Sequence, residues 1–160
     1  MAEGGKLRVE RPMSKVQRHR FSTLNPIKEE SMAKIKKFED IESWKRARKL
    51  TKDIYTVTAQ GKFRRDFGLK DQIRRATVSI VSNIAEGFER GGDKEFLQFL
   101  AIAKGSSGEV RAQLYVALDL EYISSEQFEA LALAATEVSQ LLSGFMKYLR
   151  ESALRGSRYR

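Results

Sequence analysis

The sequence predicts an all-α protein, an antiparallel up-down-up-down four-helix bundle spanning residues 38–151. Three observations carry this expectation. No proline follows Pro26, so none interrupts a helix from Phe38 onward. Four successive stretches repeat apolar residues at the three- and four-residue intervals of a helix face. Short connectors containing Gly or Ser separate the stretches, and short connections make sequential helices antiparallel neighbours. At 160 residues the chain has room for one such domain and a tail.

The first helix is expected from Phe38 or Glu39 to Ala59. Trp44, Ala47, Leu50, Ile54 and Val57 form its apolar stripe, and Gly61 marks its end. Residues 61–68 read as a connector with Phe63 and Phe67 as two anchoring aromatics. The second helix, Leu69 to about Phe88, carries two apolar seams. Leu69, Ile73, Ala76, Ile80 and Ile84 make the first; Val78, Val81, Ala85 and Phe88 make the second, about a third of a turn away. Together they cover roughly 200° of the helix wheel, more than one wet-faced helix requires. Such a helix is either central and deeply buried or covers another subunit with its second seam, and the pattern favours an oligomer.

Gly91-Gly92-Asp93 breaks the chain and puts Asp93 in position to cap the third helix. Phe96, Leu100, Ala103, Ser107, Val110, Leu114 and Leu118 share one face of that helix, which is expected to reach about Tyr122. Within it, Gly105 and Gly108 each cost roughly 1 kcal/mol relative to alanine, a cost that close approach of another helix would offset. Ser124 and Gln127 have the spacing of a capping box. They open a fourth helix whose stripe is Phe128, Leu131, Ala135, Val138, Leu142, Phe145 or Met146, and Leu149. Residues 1–37 lack either period and mix Gly4, Gly5, Pro12 and Pro26 with basic residues. They read as a flexible basic arm or an upstream extension, and residues 152–160 as a short basic tail.

Composition narrows the chemistry. The absence of cysteine excludes disulfides, zinc-thiolate sites and cysteine nucleophiles. The one histidine, His19, lies in the arm, so the bundle contains no histidine for a metal site or general base. Neither a phosphate-binding Gly-rich loop nor a Gly-x-Ser-x-Gly elbow occurs. No catalytic residue, metal ligand or cofactor is therefore expected. No apolar run approaches the roughly 20 residues of a membrane span, and no secretory leader is visible, so a cytoplasmic location away from membranes is expected.

The net charge of +9, with a pI near 9.9, favours polyanionic partners. Lys45, Lys49 and Lys52, flanked by Arg46 and Arg48, line the face of the first helix opposite Leu50 and Ile54. Together with Lys34, Lys36 and Lys37 they are candidates for phosphate contact, although the same stripe also reads as a solvated helix face. On the second helix Gln72, Arg75, Ser79, Asn83 and Glu86 form a polar ridge. Arg74 falls within the second apolar seam, where a charge must be paired or must snorkel. An inter-helix or intersubunit salt bridge is the structural reading, with Glu86 or Glu109 as acceptors; an anion site is the functional one.

Gln72-Ile73-Arg74-Arg75-Ala76, Ser79-Ile80 and Asn83-Ile84-Ala85-Glu86-Gly87 closely resemble the signature of the four helix bundle protein family, also called 23S ribosomal RNA intervening-sequence proteins. Supporting segments are Phe38-Glu39-Asp40-Ile41 with Trp44 and Ala47, Phe67-Gly68-Leu69, Glu95-Phe96 with Phe99-Leu100, and Leu120-Glu121-Tyr122-Ile123. The resemblance implies a small helical bundle that assembles as a ring-like homopentamer without established enzymatic activity. It also implies kinship in fold with the accessory protein of diversity-generating retroelements, which binds a reverse transcriptase and nucleic acid.

Residues and resemblance together predict a non-enzymatic oligomeric adaptor that meets RNA, DNA or a nucleic-acid enzyme such as a reverse transcriptase through basic surfaces. Arg74, Arg75, Asn83, Glu86 and Gly87 are candidates for a functional or assembly locus, with Val78, Val81, Gly105 and Gly108 as further assembly residues. The competing prediction is a protein-only scaffold whose basicity is incidental. An acid/base pocket built on Arg75, Asn83 and Glu86 is a third reading, which lacks an accompanying nucleophile or metal set.

Overall fold

The computed structural model describes residues 35–156, with side chains up to Ser152. The chain before residue 35, including His19 and Lys34, and residues 157–160 lie outside the described residues, as does most of the expected arm. Four α-helices follow in order: α1 Glu42–Thr58, α2 Phe67–Glu89, α3 Asp93–Asp119 and α4 Ser125–Gly156. Single 3-10 turns, Phe38–Asp40 and Phe63–Arg65, precede α1 and α2. Helix α1 packs on α2 and α4, α2 on α3, and α3 on α4, which closes the four-helix bundle.

The expected apolar stripes form the core. Ala47, Leu50 and Ile54 meet Ile73, Ala76, Ile80 and Ile84 of α2, and these meet Leu100, Ala103, Val110 and Leu114 of α3 and Leu131, Ala135, Val138 and Leu142 of α4. At one end Phe96 stands edge-on to both Phe88 and Phe145, with centroids 6.0 and 5.3 Å away. At that same end Gly87 lets α2 and α3 meet. A Cβ there would lie 2.6 Å from the Cβ of Phe99.

The helix ends differ from the expectations where local hydrogen bonding decides. Residues 38–40 form a 3-10 turn rather than the start of α1, because Ile41 is extended (ψ 122°) and buries its side chain. Asp66 caps α2 by accepting from Leu69 N at 2.9 Å, which moves the helix start back to Phe67. Asp93 does not cap α3. Gly92 is the cap residue, and Asp93 instead joins Glu95 in the first turn, where negative charge complements the helix dipole.

Helix α3 stops at Asp119. Glu121 takes a left-handed conformation (φ 55°), and Glu121 N and Tyr122 N donate back to Leu118 O and Ala117 O at 2.9 and 2.8 Å. This is the paired bonding of a Schellman end, here without glycine. The capping box forms as expected: Ser124 N donates to Gln127 Oε1 at 2.9 Å, and Gln127 N donates to Ser124 Oγ at 3.1 Å.

Two packing expectations are corrected. Phe63 is fully buried and anchors the α1–α2 connector against Tyr122, with ring centroids 5.3 Å apart. Phe67 is 73% exposed and anchors nothing, because the Asp66 cap turns the first residue of α2 outward. Gly105 and Gly108 face away from the core, and a Cβ built at either meets nothing within 4 Å. The buried small residues of that run are the serines between them, and Ser106 shares a 2.9 Å hydrogen bond with Ser79 of α2.

Candidate assembly and nucleic-acid surfaces

Helix α1 carries its basic residues on the outside, since Ala47, Leu50 and Ile54 hold the other side in the core. Lys45, Arg46, Arg48, Lys49 and Lys52 are all exposed. Part of this charge is met locally: Arg46 Nε donates to Glu42 Oε1 at 3.0 Å, and Lys49 Nζ to Asp53 Oδ2 at 2.6 Å. Pairs one turn apart on a wet helix face contribute little stability but reduce the local field. The Arg48 guanidinium stands 5.8 Å from the centroid of the Trp44 ring.

The family-signature side chains of α2 have separate partners. Arg74 is not held by Glu86 or Glu109. Its Nε donates to Thr58 Oγ1 at 2.8 Å, its Nη2 to Tyr55 O at 3.3 Å, and its guanidinium lies 4.4 Å from the Tyr55 ring centroid. It thus supplies donors to the last turn of α1, where carbonyls lack helical partners and the dipole favours a cation. Arg75 pairs with Asp71 at 2.8 Å. Asn83 donates to Ser79 O and Oγ at 2.8 and 3.0 Å, and Glu86 accepts from Arg90 at 2.8 Å. The ridge is thereby divided among local contacts instead of converging on one ligand position. The Arg90 guanidinium is held further toward its charged form, first by the hydrogen bond to Glu86.

The second seam of α2 is also divided. Val81 and Phe88 pack against the core of their own chain, whereas Val78 remains 39% exposed. The larger apolar exposure lies on α3, on the face that carries Gly105 and Gly108. Ala101, Gly105, Gly108 and Ala112 follow one another at i, i+4, i+7 and i+11, opposite Ala103 and Val110, and all are exposed. Ile102, Tyr115 and Val116 flank them and are 52%, 55% and 45% exposed; Glu109 sits at the edge. The signal in the sequence is the recurrence of Ala101, Gly105, Gly108 and Ala112 at helical intervals, with Ile102, Tyr115 and Val116 beside them, on the side away from the core stripe. Tyr115 also reaches Phe128 of α4, with centroids 4.7 Å apart.

At the opposite end from Gly87, Asp66 accepts from Tyr122 Oη at 3.1 Å as well as capping α2. Burial first, and then the hydrogen bond and negative charge of Asp66, push the Tyr122 phenol above its ordinary pKa. Among the described residues no group of three or more His, Asp or Glu side chains is arranged to hold a metal ion, and no helix is long and apolar enough to cross a membrane.

The sequence model of the 23S rRNA-intervening sequence protein family matches residues 39–144, covering α1 through most of α4. The chain belongs to this family. The bundle is similar to the crystal structure of a protein of unknown function from the S23 ribosomal protein family of Bacteroides thetaiotaomicron. The two are 26% identical with a TM-score of 0.60, and the match covers 66% of this chain and 98% of that one. No curated protein matches the chain.

Proposed function

We propose that this member of the family is a non-enzymatic, self-associating adaptor that meets nucleic acid, or an enzyme acting on it, through basic surfaces. The observation that carries the reading is the chemical division of the bundle exterior. Helix α3 presents a strip of small and apolar residues edged by Lys104, Glu109 and Arg111, while α1 and the α1–α2 connector present mainly cations. A smooth face with Gly105 and Gly108 at its centre suits close apposition of another subunit, which would offset the helical cost of both glycines. The family resemblance supports a ring of five as the assembly. Removal of α3 into such an interface leaves the basic helix outside, where phosphates would displace counterions. The cytoplasm, where RNA and DNA are at hand, fits this reading.

Light scattering with and without nucleic acid across a salt series tests it. The expected particle has five times the 18.3 kDa mass of the chain. It gains mass with RNA or DNA at low salt and loses it as salt rises. A monomer would refute the self-associating adaptor, and an oligomer indifferent to nucleic acid at low salt would refute its direct contact with nucleic acid. The second outcome would favour the protein-only scaffold, a reading supported by the local pairing of Arg46 with Glu42 and Lys49 with Asp53.

A further inference from the structure

A second basic segment follows the α1 stripe. Residues 61–75 contain six Lys or Arg against two Asp, and the fold turns most of that charge outward at one end of the bundle. Gly61 (φ 51°) reverses the chain after α1. The buried Phe63 then pins the 3-10 turn, and at three residues per turn Arg64 and Arg65 must point away from it. Gly61, Lys62, Arg64 and Arg65 border an open depression of about 430 Å³.

Both carboxylates of the segment are already engaged, Asp66 with Leu69 N and Tyr122 Oη and Asp71 with Arg75. Lys62, Arg64, Arg65 and Lys70 have no carboxylate within ion-pair distance among the described residues. Beside them stands Phe67, 73% exposed. Lys70 joins the two features, since its Nζ lies 4.4 Å from the Phe67 ring centroid and donates to Arg64 O at 2.8 Å. An aromatic ring in water next to four uncompensated cations has the chemistry of a stacking platform with phosphate contacts around it.

We infer that the α1–α2 connector is a docking site for single-stranded nucleic acid, with Phe67 stacking a base and Lys62, Arg64, Arg65 and Lys70 holding the adjoining phosphates. The inference rests on the proposed nucleic-acid role and deepens it by naming the surface and the strandedness. A duplex hides the faces of its bases inside the stack, so an isolated exposed ring discriminates for an unpaired strand. The Asp66 cap and the Phe63 anchor fix the backbone that carries the ring and the cations.

The test is fluorescence anisotropy with the full chain and a short labelled mixed-sequence single-stranded RNA, beside the matching duplex, over a salt series. Light scattering of each variant runs in parallel. Phe67→Ala should weaken single-strand binding roughly tenfold while leaving duplex binding and particle mass unchanged. Replacing Lys62, Arg64 and Arg65 together with Ser should lower the single-strand salt slope by about two units.

If wild-type protein binds neither probe at low salt, this inference and the proposed direct contact with nucleic acid both fall. If wild type binds, the connector variants bind equally well, and Lys45→Ser with Lys49→Ser and Lys52→Ser abolishes binding, the adaptor stands and the connector site is overturned. A change of particle mass in Phe67→Ala would assign the ring to a subunit contact and overturn the site as well.

Discussion

Replacing Gly87 with alanine opposes two effects whose sizes can be compared. A β-carbon at Gly87 would sit 2.6 Å from Phe99 Cβ, 2.9 Å from Phe96 Cδ2 and 3.2 Å from Phe99 Cγ. Carbon atoms in contact rest at about 3.5–4.0 Å, so relief requires a movement of about 1 Å. The Phe96 ring edge can turn, but Phe99 Cβ is fixed to the α3 backbone, and the two helices must separate. Overpacking of this kind costs about 1–3 kcal/mol, and an obstacle fixed to backbone argues for the upper half of that range. Alanine returns about 1 kcal/mol of helix propensity. A net loss of about 1–2 kcal/mol follows, or a fall in Tm of roughly 5–10 °C for a domain of this size.

Thermal unfolding followed by circular dichroism at one fixed protein concentration is the assay, because self-association would make Tm depend on concentration. Gly144→Ala serves as the control. Gly144 is also helical, its Cβ would meet nothing within 4 Å, and its replacement should stabilise by up to about 1 kcal/mol. If Gly87→Ala were as stable as Gly144→Ala, the account of α2–α3 packing would be refuted.

Gly105→Ala and Gly108→Ala have the same room within the chain as Gly144→Ala, yet they should lower particle mass in light scattering because they roughen the proposed subunit face; retained mass with a raised Tm would place the interface elsewhere. Glu121→Gly should stabilise by about 1 kcal/mol in urea unfolding, since φ 55° strains a residue with a β-carbon. The raised pKa of Tyr122 means that the folded state holds the phenolic proton more tightly than the unfolded state. The resulting stability is complete below the ordinary phenol pKa of about 10 and is lost as pH rises through the higher folded value. Wild type should therefore lose its advantage over Tyr122→Phe in denaturant titrations run at increasing alkaline pH, and a constant difference would contradict the contact.

The helices were legible because burial imposes a period. Ala47, Leu50 and Ile54, or Ile73, Ala76, Ile80 and Ile84, recur at helical intervals since one face of each helix must leave water, and that constraint acts residue by residue along the chain. Ser124 and Gln127 were legible for a related reason, because a capping box closes within four residues. The same local logic assigned Phe63 and Phe67 the same role, and there it failed. Only the capping bond from Leu69 to Asp66 and the packing of Phe63 on Tyr122 send one ring inward and leave the other in solvent.

The sequence shows Arg74 as a charge needing a partner, but the partner is the end of α1, sixteen and nineteen residues away in sequence. The glycines of α3 are unusual for a helix interior, and only the packing of α3 against α2 and α4 turns them outward. The number of helices, their core faces and the basic balance of the chain follow from short-range periodicity and composition. Which polar group each side chain meets and which apolar residues stay uncovered depend on contacts between segments far apart in the chain, and so emerge only when the helices pack.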